Sequence, residues 1–250
     1  MKTFGLIGFP LTHSFSKKYF TEKFASDGLQ DHCYENFSIE HIELIEKVFS
    51  QQPTLVGLNV TIPYKEKVIP YLDVADEIVK QTGACNCIKI VQGKKMGFNT
   101  DVIGFGTSLD IKLTHTHTHA LVLGTGGAAK AVQYALKQRK ISFVQVSRAP
   151  AAGMLSYADL DQAVMESHTL IINTTPLGMY PKTDEAPPIP YQYLTPSHYL
   201  FDLVYNPDKT LFLQRGEERG AVIENGKDML RIQADASWEI WNCLLYTSPS

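Results

Sequence analysis

Ala120-Leu121-Val122-Leu123-Gly124-Thr125-Gly126-Gly127-Ala128-Ala129-Lys130 is the stretch whose reading decides the fold. Four apolar residues predict a buried strand, a glycine turn follows, and a helix over 128–138 opens at the turn's far side. The turn reads G-x-G-x-x-A. Gly124 permits a tight bend, Gly126 lets backbone approach a pyrophosphate, and Ala129 is small enough for close helix–strand packing. Around Gly127 and Ala128, the N–H groups that a helix leaves unpaired at its start face the anion. A lone glycine pattern is weak. Strand, turn, helix and a further strand over 142–146 together predict a dinucleotide-binding unit.

The end of that next strand bears on which dinucleotide. About 20 residues beyond the glycines, a site for NAD offers an acid to the ribose hydroxyl, and a site for NADP offers a positive charge to the 2′-phosphate. Here Val146-Ser147-Arg148-Ala149 has no acid, and Arg148 stands beside Ser147 at that position. A guanidinium donates two parallel hydrogen bonds to such an anion. NADP is the expected cofactor.

Outward from this unit, strand-like and helix-like segments alternate through all 250 residues. That pattern predicts an α/β protein with largely parallel sheets. Upstream strands are expected over 4–8, 34–39 and 55–60, with a hairpin of 87–91 and 95–98 turning at Gln92-Gly93. Ser16 is expected to cap a helix over 17–26. Downstream strands are expected over 170–173 and 199–203, an irregular segment over 183–196, and a last helix over 225–244. The two systems meet near residue 101. Two lobes are expected, an N-terminal α/β substrate domain and a Rossmann-like dinucleotide domain, with a cleft between them.

A formal net charge of −3 gives no broad attraction to nucleic acid or anionic membrane. No segment approaches the roughly 20 apolar residues that span a bilayer, and the N-terminus reads directly as a strand. Cys85 and Cys87, spaced C-x-C, match neither a redox C-x-x-C nor a zinc knuckle and read as reduced core thiols of a cytoplasmic protein. His115, His117 and His119 alternate with threonine and would share one face of an extended segment. They read as a solvated edge segment, and no metal is expected.

Polar residues gather where the first lobe's strands end. Ser14 and Ser16 follow the first strand near a helix start, where an anion is stabilised. Asn59, Thr61 and Lys65 close the third. Gly83-Ala84-Cys85-Asn86 supplies another amide, and Asn99-Thr100-Asp101 ends in an acid. Together they describe a pocket for a small polyhydroxylated carboxylate, with Lys65 and Asp101 as a proton-transfer pair.

The same motifs resemble those of the shikimate dehydrogenases. They are Gly8-Phe9-Pro10 with His13-Ser14-Phe15-Ser16, Gly57-Leu58-Asn59-Val60-Thr61-Ile62-Pro63-Tyr64-Lys65, Gly83-Ala84-Cys85-Asn86 and Asn99-Thr100-Asp101. The glycine turn is joined by Asn173-Thr174-Thr175-Pro176-Leu177-Gly178-Met179, Asp202-Leu203-Val204-Tyr205-Asn206-Pro207, and Asn225-Gly226-Lys227-Asp228-Met229-Leu230 with Gln233-Ala234. The resemblance runs from residue 3 to about 242, in order and spacing. It implies reversible NADPH-dependent reduction of 3-dehydroshikimate to shikimate. It makes Lys65 the catalytic lysine, partnered by Asp101. Ser14, Ser16, Asn59, Thr61, Asn86, Asp101, Tyr205 and Gln233 become substrate contacts. Gly124, Gly126, Gly127, Ala128, Ser147 and Arg148 hold the dinucleotide, with Thr174, Met179 and Gly226 around it. It also implies that the last helix returns to the first lobe, giving residues 1–101 with 225–242 as the substrate domain and 102–224 as the NADP domain. The expected assembly is a monomer or homodimer. Residues 243–250 lack the helix's polar pattern and read as an appended tail.

Three departures from the family pattern stand out. Lys17-Lys18 follow Ser16 where the family continues Pro then His-Asn. Cys87 stands where Thr is commoner. Ala149-Pro150 replaces a Thr and a second basic residue after Arg148, which loosens NADP selectivity. A quinate/shikimate dehydrogenase using NAD is the alternative enzyme, disfavoured by the missing acid near Ser147 and the intact Ser14/Ser16 pair. A non-catalytic dinucleotide-binding regulator is expected to lack Lys65 or Asp101. The folate dehydrogenases share the lysine and glycine turn without the Ser-x-Ser and Asn-Thr-Asp sets.

Overall fold

Six of the seven residues of β1 (Lys2–Gly8) are buried, a run that places the strand inside a sheet covered on both faces. The structure, a computed structural model, describes residues 1–11 and 15–242. Ser14 and His13 therefore lie outside the described residues, as does the expected tail 243–250. By contact density the chain divides into two units, Met1–Thr100 with the chain from Ala234, and Asp101–Gln233.

In the first unit, β1 is joined by β2 (His32–Ser38), β3 (Leu55–Val60), β4 (Val74–Ala75), β5 (Cys87–Val91) and β6 (Lys94–Phe98), in the order β2-β1-β3-β5-β6-β4. β1 runs parallel to β2 and β3, but β5 is antiparallel to both β3 and β6. The sheet is thus mixed rather than largely parallel. The cause is the β5–β6 hairpin, whose turn residues Gln92 and Gly93 both have positive φ, 51° and 78°. Helices α1 (Phe15–Ser26), α2 (Ile45–Gln51) and α3 (Glu77–Thr82) complete the unit. Ser16 falls inside the first turn of α1 and does not cap it. α3 is capped by Asp76, which accepts from the Val79 N–H at 2.7 Å, and ends at Gly83 in the left-handed conformation.

The second unit opens with α4 (Thr100–Asp110), a helix that the sequence pattern does not announce. Gly104 and Gly106 lower its propensity. Yet a Cβ on Gly104 would strike the Met229 carbonyl, so the glycine is needed for close packing. There follow β7 (His119–Leu123), α5 (Gly127–Gln138), β8 (Ser142–Val146), α6 (Gln162–Ser167), β9 (Leu170–Asn173), β10 (Tyr199–Asp202), α7 (Leu211–Glu217), β11 (Val222–Glu224) and α8 (Lys227–Asn242). The five strands are all parallel, in the order β11-β10-β9-β7-β8. The chain goes from β7 outward to β8 and then returns past β7 to β9. A topological switch point therefore lies between β7 and β9.

Leu121, Leu123, Val146, Ile171, Leu200 and Phe212 form the core under this sheet; each such side chain contributes about 1.5–3 kcal/mol by leaving water. The first unit has an aromatic core of Phe4, Phe20, Phe24 and Tyr34, closed by Trp241 from the far end of α8. The Trp241 indole N–H donates to the Ile88 carbonyl at 3.0 Å, and Gly57 leaves room for the ring.

The three alternating histidines do not share a face. Residues 114–117 form a turn in which the Thr114 N–H donates to His117 Nδ1 at 3.0 Å. His117 is buried against Tyr199, whereas His115 and His119 are exposed. Burial of His117 holds its pKa below the ordinary histidine value. Among the described residues, no three His, Cys, Asp or Glu side chains cluster as metal ligands. Cys85 and Cys87 are fully buried free thiols, and burial raises Cys87 far above the usual thiol range.

Candidate active site

Most of the expected substrate contacts of the first unit belong to one hydrogen-bonded network. Tyr34 of β2, buried on the sheet, donates its hydroxyl to Asn59 Oδ1 at 2.8 Å, and the Ser16 side chain lies against the same hydroxyl. Asn59, near the end of β3, donates from Nδ2 to Ser237 Oγ at 2.9 Å and to the Asn86 carbonyl at 3.4 Å. Ser237 on α8 bonds Thr100 Oγ1 at 3.1 Å. Asn86 in turn donates from Nδ2 to Thr100 Oγ1 at 3.0 Å, and its Oδ1 accepts from the Thr100 N–H at 2.6 Å. The Asn86 amide thus fixes the first residue of α4, the one before Asp101. Ser16, Asn59, Asn86, Thr100 and Ser237 are all buried. These side chains are all neutral, which removes the cost of burying charge.

Thr61 and Lys65 sit on the loop that leaves β3. The Thr61 N–H donates to the Ile7 carbonyl at 2.9 Å, so the ends of β1 and β3 are fastened together. The Lys65 carbonyl accepts from the Cys85 N–H at 2.7 Å, which ties the lysine's backbone to the Gly83–Asn86 loop. Asn99 holds that loop from the other side, donating from Nδ2 to the Ala84 carbonyl at 2.9 Å. The Lys65 side chain is half-buried, and Asp101 is buried in the first turn of α4, where a carboxylate is favoured by the helix dipole.

The pattern of motifs did not announce Tyr34 or Ser237. Tyr34 reads as an ordinary strand aromatic, and Ser237 stands 178 residues from its partner Asn59, on a helix whose face reads as plain amphipathic. Ser237 shares α8 with the buried Ala234, Ala236 and Trp241, and its own burial emerges only from the fold.

In the second unit the glycine turn sits at the switch point. Gly124 has φ 114°, a conformation open to glycine, and a Cβ there would collide with Thr174 Oγ1. Thr174 itself donates from Oγ1 to the Leu123 carbonyl at 2.7 Å. The loops after β7 and β9 are thereby held in contact. α5 starts with no side-chain cap and no acid in its first turn, and nothing lies within 4 Å of where a Gly126 Cβ would point. Its leading N–H groups thus offer an open, electropositive cradle of the kind that holds a diphosphate. Arg148 is exposed just past β8. Ser147 Oγ accepts from the Ala149 N–H at 3.2 Å and shapes that turn.

The remaining expected contacts occupy loops next to the switch point. Met179 is exposed, and the Tyr180 N–H after it donates to the Asn206 carbonyl at 3.0 Å. Tyr205 is half-buried, with burial raising its phenol above the usual value. The Gly226 N–H donates to the Val204 carbonyl at 3.1 Å, and a side chain at 226 would run into the Leu203 carbonyl. Gln233 of α8 is buried and donates from Nε2 to the Leu230 carbonyl at 2.9 Å.

A parallel sheet with a glycine turn and an uncapped helix at its switch point defines the second unit as Rossmann-like and dinucleotide-binding in class. The first unit matches the family model of the shikimate dehydrogenase substrate binding domain over residues 6–88. A shikimate dehydrogenase (NADP(+)) of Staphylococcus aureus (strain bovine RF122 / ET3-1) is 37% identical over 250 residues, covering 95% of this chain and 91% of the relative. Among solved structures, the chorismate mutase/shikimate 5-dehydrogenase fusion protein of Clostridium acetobutylicum superposes with a TM-score of 0.87 at 36% identity, over 97% of this chain and 91% of that one. The shikimate 5-dehydrogenase of Thermus thermophilus, solved with NADP(H) and shikimate, gives 0.86 at 27% identity, over 97% and 94%. The chain belongs to the shikimate dehydrogenase family.

Proposed function

We propose that the protein catalyses the reversible, NADP-dependent interconversion of shikimate and 3-dehydroshikimate, a step of aromatic amino-acid biosynthesis, in the cytoplasm as a monomer or homodimer. The observation that carries the reading is the neutral network Ser16–Tyr34–Asn59–Ser237–Thr100–Asn86, which fixes hydroxyl and amide groups near the end of β3, just before β5 and at the starts of α1 and α4. Such groups suit a ligand dense in hydroxyls. Ser14, Ser16, Asn59, Thr61, Asn86, Tyr205 and Gln233 are its proposed contacts. Asn59 and Asn86 act largely by holding the frame, since their amides already bond protein groups.

The residues of the second unit fit NADP: the uncapped start of α5 at Gly126, Gly127 and Ala128 would hold the diphosphate, and Arg148 beside Ser147 the 2′-phosphate. Thr174, Met179 and Gly226 flank the rest. When bound, NADP+ accepts a hydride from the substrate carbon. What the protein must supply is proton management at the substrate oxygen. Lys65 is the proposed group that takes the hydroxyl proton in oxidation and returns it in reduction, and Asp101 shares that proton and orients the ammonium. Both ionisable groups emerge from segments fixed by hydrogen bonds, Lys65 through its carbonyl to the Cys85 N–H and Asp101 through the Thr100 N–H donating to Asn86 Oδ1.

Absorbance at the NADPH band, with shikimate or quinate and NADP+ or NAD+ in all four combinations, tests the assignment. Shikimate with NADP+ is expected to be the fastest pair. Preference for quinate with NAD+ would move the protein to the alternative enzyme, and inactivity with both acids would remove the reading.

A further inference from the structure

A single buried carboxylate joins the carboxyl ends of β9 and β10. Asp202 has no exposed surface. Its Oδ1 accepts from Asn173 Nδ2 at 2.9 Å and from the Val204 N–H at 3.0 Å, and its Oδ2 accepts from Thr210 Oγ1 at 2.5 Å. Each donor leads to one of the proposed cofactor loops. Asn173 Oδ1 accepts from the Thr175 N–H at 3.0 Å and from Thr175 Oγ1 at 2.6 Å, which sets the loop bearing Thr174 and Met179. Val204 precedes Tyr205, and its carbonyl receives the Gly226 N–H. Thr210 caps α7 and packs on Gly178.

The arrangement suits an anion. A carboxylate receives all three donors, whereas an amide would turn an NH2 group toward one of them. We propose that Asp202 is a positioning residue whose ionised carboxylate holds the loops after β9 and β10 in register, and so places Thr174, Met179 and Gly226 for NADP+. The inference rests on the function proposed above. Burial pushes the carboxyl up to about 6, while bonds from Thr210, Val204 and Asn173 pull it back. The titratable or charged neighbours on the surrounding elements are Tyr191, whose phenol burial raises, Arg215 of α7 with its guanidinium 5.0 Å from the Tyr191 ring, and Glu224 of β11, paired with Lys112 at 2.6 Å. The Tyr191 phenol, raised by burial, keeps its proton between pH 5 and 8. The hub therefore loses its charge at a pH where the Tyr191 phenol stays neutral.

Binding of NADP+ to the whole protein, measured by calorimetry without an acid substrate from pH 5 to 8.5, tests this. Asp202→Asn is expected to bind about tenfold more weakly than wild type at pH 8, the scale of a lost bond to a charged group. The ratio should fall toward one below pH 6, where the wild-type carboxyl is neutral too. The 2′-phosphate titrates equally in both proteins and cancels in the ratio. A ratio of one throughout, or one independent of pH, would overturn the proposal. Thr210→Val removes one donor and keeps the charge; the midpoint of its pH-dependent binding should rise above that of wild type, and an unmoved midpoint counts against the proposal even if Asp202→Asn fails to fold. A protein with the predicted pH step that turns over neither shikimate nor quinate would sink the proposed function and leave Asp202's role standing.

Discussion

The polar frames of the two units are built on opposite principles. In the first unit, hydroxyls and amides from β2, β3, α8 and the start of α4 satisfy one another with no charge among them. In the second, a lone carboxylate at the end of β10 gathers donors from β9, its own loop and the cap of α7. A neutral network is cheap to bury and indifferent to pH. A buried anion organises more donors around one point, but at the cost of burying its charge. The first frame suits a ligand dense in hydroxyls, and the second suits loops that must be held taut around a large one.

The largest expected effect lies at the one cation proposed to act beside the neutral frame. Lys65→Ala should cut turnover by about 10²–10⁴-fold with a modest change in shikimate KM, as loss of a general acid–base group does. Steady-state kinetics near wild type would remove Lys65 from the proton transfer.

Next in size is the pH dependence of stability from Asp202. In the unfolded chain its carboxyl titrates near 3.8, and in the folded protein at about 6. Between those values the folded state binds more protons than the unfolded one, so this group's contribution falls as pH rises through the window. The span is about 3 kcal/mol, taking about 1.4 kcal/mol per pK unit. Denaturant titrations of wild type and Asp202→Asn from pH 4 to 7 should diverge by an amount of this order. Parallel stability curves would mean that the carboxyl is not strained by burial.

The smallest effect is the matching test on the neutral side. Tyr34→Phe leaves Asn59 Oδ1 without its 2.8 Å donor and should cost about 1–3 kcal/mol. The loss should be equal at pH 5 and pH 8, because burial raises the Tyr34 phenol well above 10. A pH-dependent loss would show a charge in the first frame and erase the contrast between the units.

Legibility in the sequence followed the range of the interactions. The glycine turn after 120–123 is local chemistry, and the structure has strand, turn and helix where the spacing placed them. So is the hairpin at Gln92-Gly93. Helix α4 escaped because Gly104 and Gly106 serve tight packing rather than propensity. The histidine alternation misled because a single Thr114–His117 turn breaks the extended run and buries its middle member. Ser237 and Tyr34 escaped because their roles exist only once distant segments meet Asn59. Asp202 was visible as a motif residue, but that it serves as an anionic hub for three donors depends on its complete burial, which no local pattern encodes.

In the proposed reaction the hydride leaves the shikimate carbon that becomes the ketone. The direct measurement is the mass of the NADPH formed when the purified protein oxidises shikimate deuterated at carbon 3. Hydride transfer from that carbon gives NADPH one mass unit heavier than that formed from unlabelled shikimate. Unlabelled NADPH, or none at all, would contradict it.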